Sequence, residues 1–67
     1  MDTYYLVTAW QNGQIVREMW ANIKVRGKTL TGAEIYAQEL RRLFSDFAYT
    51  VRPVTSADVD KHIAGRK

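Results

Sequence analysis

Three groups of residues have the types and spacing from which chemistry is built. The first is Lys24-Val25-Arg26-Gly27-Lys28, three cations within five residues around a glycine. Such a loop can bring backbone and positive charge close to a phosphate. It runs on into Gly27-Lys28-Thr29, the ending of a nucleotide-binding loop. Asn22, however, stands five residues before Gly27, where that loop needs its first glycine. The second group is the single histidine, His62, with Asp58 and Asp60. Asp58 and His62 are four apart and share a helical face, but two ligands do not make a metal site. A solvated histidine near a helix C-terminus, favoured there by the helix dipole, accounts for His62 without chemistry. The third group is Glu34 and Glu39, which fall on different faces of a helix and so cannot work as an acid/base pair. Reactive groups do not converge, which an enzyme requires. The chain reads as non-enzymatic, with no cofactor and no metal expected.

Composition narrows the remaining classes. The 67 residues include no cysteine, which removes zinc knuckles, thiol chemistry and a disulfide scaffold together. Apolar residues at 46% and charged residues at 25% are those of an ordinary globular chain rather than a disordered one. No apolar run is long enough to span a membrane. The acidic, then strand-like start at Met1-Asp2-Thr3 does not read as a signal peptide, so a cytoplasmic location is expected. A domain this small, without disulfide or metal, has only ~3–5 kcal/mol of net stability.

The elements that must position these residues are legible in outline. Thr3 to Trp10 and Ile15 to Val25 are rich in aromatic and β-branched residues and flank Gln11-Asn12-Gly13-Gln14. Asn-Gly between two such runs predicts a hairpin, because a type I′ turn needs positive φ at both central positions. With that turn, Trp10 faces Ile15, Thr8 faces Arg17, Leu6 faces Met19 and Tyr4 faces Ala21. On the other face Ala9 meets Val16, Val7 meets Glu18 and Tyr5 meets Trp20. Thr31 with Glu34 reads as a capping box opening a helix from Gly32 to about Asp46. Ala33, Tyr36, Ala37, Leu40, Leu43, Phe44 and Phe47 form its apolar stripe, assigned to the core. Ala48 to Thr55 reads as a third strand, with Pro53 confining it to an edge. Ser56 caps a short helix from Ala57 to Ala64, closed by Gly65 and the basic end Arg66-Lys67. The expected fold is α+β, a small antiparallel three-stranded sheet packed on one helix (β-β-α-β) with a short C-terminal helix. Residues 1–55 form the domain, and 56–67 a helical segment or flexible basic tail.

One helix covers one sheet face, yet the hairpin is apolar on both, with Tyr5, Val7, Ala9, Val16 and Trp20 on the second. Either the C-terminal segment folds over that face, or it meets another molecule, a second copy included. Otherwise Tyr5 and Trp20 are only a cross-strand pair with their edges in water. The candidate protein-binding residues are Tyr5, Arg17, Trp20 and Arg52. Lys24, Arg26 and Lys28 are the candidates if the ligand is instead a nucleic acid, whose bases would stack on the aromatic face.

The element order over residues 4–54, with Tyr4-Tyr5 on the first strand, the Thr31–Asp46 helix and Val51-Arg52-Pro53 at its end, resembles the small host-takeover proteins of phages. The nearest is the short podophage inhibitor of bacterial RNA polymerase. This chain differs in being basic, in its longer second strand and in its tail beyond Pro53. The resemblance implies a protein-binding inhibitor, with Arg52 as a contact carried over from Val-Arg-Pro. The expected partner is therefore a host protein or protein complex, with nucleic acid as the alternative, a homodimer as a third reading, and no membrane.

Overall fold

A computed structural model describes residues 3–64. Gly65, Arg66 and Lys67, read above as the close of the last helix and a basic end, lie outside the described residues, as do Met1 and Asp2. The elements are β1 (Thr3–Gln11), β2 (Gln14–Glu18), α1 (Ile23–Arg26), α2 (Leu30–Leu43), β3 (Ala48–Thr55) and α3 (Ser56–Ala64). The three strands form one antiparallel sheet in the order β2-β1-β3, and the fold is α+β as expected.

The hairpin turn follows from its two residues. Asn12 (φ 55°) and Gly13 (φ 75°) both take the positive φ that this two-residue turn demands, and Trp10 pairs with Ile15. From there the register departs from the regular one. Val16 is an extra residue on β2, so that Ala9 faces Arg17 and Thr8 faces Glu18. A bulge of one residue sends every later side chain to the opposite face. The expected pairs Thr8–Arg17, Leu6–Met19, Tyr4–Ala21, Ala9–Val16, Val7–Glu18 and Tyr5–Trp20 therefore do not form. Met19 joins the face of Val7 and Ala9, and Trp20 joins that of Leu6. The bulge places the Glu18 carboxylate where the Trp20 indole N–H donates to it (3.1 Å) and Arg52 on β3 reaches it (3.5 Å).

The second strand also stops earlier than its apolar content suggests. Beyond Glu18 the Met19 N–H still donates to the Val7 carbonyl (3.0 Å), but the chain then turns at Ala21-Asn22. The Asn22 carbonyl accepts from the N–H groups of Val25 and Arg26, closing the helical turn α1. The buried residues here, Trp20 and Ile23, are three apart, a helical spacing that the strand reading overran.

Helix α2 begins two residues before the expected start. Its cap is Thr29, extended at φ −128° and ψ 157°, whose hydroxyl accepts from the Gly32 N–H at 3.0 Å. Thr31 lies inside the helix, so the Thr31–Glu34 box does not form. A cap of this kind contributes about 1 kcal/mol. The helix also ends earlier, at Leu43 instead of Asp46, with the Phe44 N–H donating to the Leu40 carbonyl.

Two apolar cores result, one on each sheet face. Beneath α2 lie Val7, Ala9, Ala33, Ala37, Leu40 and Tyr49. On the other face lie Leu6, Trp20, Ile23, Val54 and Val59, covered by α1 and α3. The face expected to be left over, that of Tyr5, Val7 and Ala9, is the one α2 covers. Instead, α1 and α3 close the face of Tyr4 and Leu6, and Ser56–Ala64 is a docked helix anchored by the fully buried Val59.

Candidate interaction groove

The residues singled out from the sequence do not assemble into one site. Trp20 is only 5% exposed, so it is a core residue and not an anchor on an open face. Its ring lies flat under the imidazole of His62, centroids 3.8 Å apart and planes 4° from parallel. Tyr5 is half-buried against the α2 core. Arg52 is on the α3 side of the sheet, paired with Glu18, whereas the bulge places Arg17 on the α2 side. Of the four protein-binding candidates, only Arg17 lies exposed beside an open apolar surface, with no ion pair among the described residues.

The basic segment does not form a phosphate cradle either. Lys24 pairs with Asp60 (3.3 Å), and Arg26 pairs with Glu39 while its guanidinium lies 4.7 Å over the Tyr36 ring. Lys28 has no ion pair among the described residues. Gly27 does make the close backbone approach expected of it, but to β1, where its carbonyl accepts the Tyr5 N–H at 2.8 Å. His62 likewise points to structure. A carbonyl oxygen can only accept, so the 2.9 Å contact with the Asp58 carbonyl makes Nδ1 the protonated nitrogen. Among the described residues no three His, Asp or Glu side chains gather as metal ligands. None of their helices is long and apolar enough to cross a membrane.

What the structure does bring together is a groove that the sequence reading missed. Helix α2 packs on β1 and β3, and the β2 side of the same face is left open. The resulting cleft of about 440 Å³ has Ala9, Met19 and Leu40 along it, Val16 and Arg17 on the strand side, and Phe44 and Phe47 on the helix side. Phe44 is 54% exposed, Val16 48% and the adjacent Leu43 73%. The end of the α2 stripe is therefore not core, which corrects the assignment of Leu43 and Phe44. The signal was present in the sequence: the apolar stripe runs on past the last residue that a narrow sheet can cover.

The end wall is tied by two hydrogen bonds. The Tyr49 hydroxyl donates to the Phe44 carbonyl (3.2 Å), and Arg41 donates to the Tyr49 carbonyl (2.9 Å), holding the α2–β3 turn. Burial, and secondarily the neighbouring Tyr36, raise the Tyr49 phenol above its usual value of 10.0. A folded pKa above the unfolded one gives stability that is complete below the unfolded value and lost as pH rises through the folded one. The melting temperature of the wild type should thus fall more steeply above about pH 10 than that of Tyr49→Phe. Parallel slopes in the two proteins would show that the phenol is not the cause.

Comparison with protein-family models, curated proteins and solved structures finds no match to this chain.

Proposed function

We propose that the chain is a non-enzymatic interaction protein that binds a host protein or complex and regulates it by occlusion, using the groove between α2 and β2. The observation that carries this reading is the apolar surface of Val16, Met19, Phe44 and Phe47 lining one groove, left open in a chain small enough to need all the burial available to it. Aromatic side chains at the rim of a preformed cleft are the usual anchors of an interface. The resemblance in element order to phage host-takeover proteins supports a bacterial host protein as the partner.

Phe44→Glu tests it, because the side chain is half in solvent and its removal leaves both cores intact. Tagged wild type and variant are compared in capture from bacterial lysate with and without nuclease, followed by affinity measurement on the partner recovered. The variant should lose about 2 kcal/mol, roughly thirtyfold in affinity, with an unchanged circular dichroism spectrum. Equal affinity of both proteins removes the groove from the interface. Capture that disappears on nuclease treatment, and with Lys24, Arg26 and Lys28 changed to Glu, would assign the function to nucleic-acid binding instead.

A further inference from the structure

We infer that the groove receives an amphipathic helix of the partner protein with a carboxylate placed to meet Arg17. This rests on the reading above and adds the class of occupant.

The shape of the sheet supplies the first argument. Strands lie about 4.8 Å apart and a helix with its side chains is about 10 Å across, so one helix covers about two strands. Here α2 takes β1 and β3, so a strip about one strand wide is left over β2, and a second helix lying beside α2 would cover it and overhang the free sheet edge. Ala9 and Ala21, the smallest side chains along the cleft, let an incoming helix approach the sheet. An added strand is a poor alternative, since β2 has only five residues and the bulge at Val16 breaks its regularity.

Charge supplies the second argument. Only Arg17 and Glu18 among the groove residues are charged. The Glu18 carboxylate is engaged on the opposite face by Trp20 and Arg52. Arg17 has no carboxylate partner among the described residues, so the groove presents one uncompensated cation beside an apolar floor. An occupant with a carboxylate at that end gains a bidentate, charge-assisted contact. A second copy of this chain, seated groove to groove by a two-fold axis, would bring no free groove carboxylate to Arg17, since Glu18 is already engaged by Trp20 and Arg52.

The probe is a synthetic helical peptide of about four turns, with leucines at i, i+3, i+4 and i+7 flanked by Glu, and a twin with Lys in place of Glu. Binding to the full chain is followed by amide chemical-shift changes and titration. The acidic peptide should perturb Val16, Met19 and Phe44 and bind about tenfold tighter than its basic twin. Arg17→Glu should reverse that preference. Equal binding of the twins, perturbation confined to the α3 face, or no perturbation by either peptide overturns the inference. Self-association of the free chain that Phe44→Glu abolishes also overturns it, in favour of a second copy. Each of these outcomes is separable from failure of the groove itself, which is read from whether Phe44→Glu keeps the cellular partner.

Discussion

Trp20→Ala is expected to unfold most of the protein. The indole is 5% exposed and packs with Leu6, Ile23, Val54 and Val59, residues contributed by β1, α1, β3 and α3. Truncating a buried tryptophan costs about 3–5 kcal/mol, as transfer energy plus the cavity left behind. That equals the whole ~3–5 kcal/mol expected of a domain this size without disulfide or metal. Urea unfolding followed by circular dichroism should show little or no folded baseline for the variant. Trp20→Phe separates the contributions, because it keeps most of the apolar volume while losing the N–H donated to Glu18 and the smaller part of the ring. Glu18 retains Arg52, so the cost of that variant should be about 1 kcal/mol. A Trp20→Ala midpoint close to wild type would return the residue to the surface and reopen the second sheet face as an interface.

The misplacement of Trp20 in the sequence reading has one physical origin. The turn at Asn12-Gly13 and the pair Trp10–Ile15 follow from local backbone preferences, and these were legible. A bulge does not follow from such preferences. The extra residue at Val16 is stabilised by contacts far away along the chain, Glu18 with Arg52 and Trp20 with His62. Strict alternation carried past Val16 exchanges Met19 and Trp20 between faces, and it also sends Arg17 away from α2. Both the second core and the groove were therefore hidden by one residue of register. The start of α2 was ambiguous for a related reason, since Thr29 and Thr31 can each cap and only tertiary packing chooses between them. The apolar character of both sheet faces, by contrast, was plain in the sequence. The C-terminal segment does cover a sheet face through Val59, but it is the face of Tyr4 and Leu6, while α2 takes the face of Tyr5, Val7 and Ala9 that was expected to be left over.

Gly27→Ala should be the second large loss, and its origin is a close approach with no backbone strain. Gly27 has φ −108°, which alanine adopts readily, so conformational freedom is not what the position requires. A methyl group there would overlap the Tyr5 carbonyl oxygen outright and come within 2.8 Å of Ile23 Cγ1 and 3.0 Å of the Ile23 carbonyl. Relief means moving the loop off β1. That breaks the bond from the Tyr5 N–H to the Gly27 carbonyl and pulls Ile23, 2% exposed, out of the second core. Overpacking together with the lost hydrogen bond gives about 2–4 kcal/mol, a fall in melting temperature of more than about 10 °C for a domain of this size. Gly32→Ala is the control. Its methyl group would meet only the Thr29 hydroxyl oxygen at 3.0 Å and the Arg26 carbonyl at 3.4 Å. The gain of about 1 kcal/mol from alanine in a helix offsets the crowding of the cap, so its melting temperature should stay near that of the wild type. If Gly27→Ala instead melts with the wild type, the Lys24–Lys28 segment must be able to leave β1 at little cost. Its cations and its glycine would then be free to close on a phosphate, and nucleic-acid binding would become the reading to pursue.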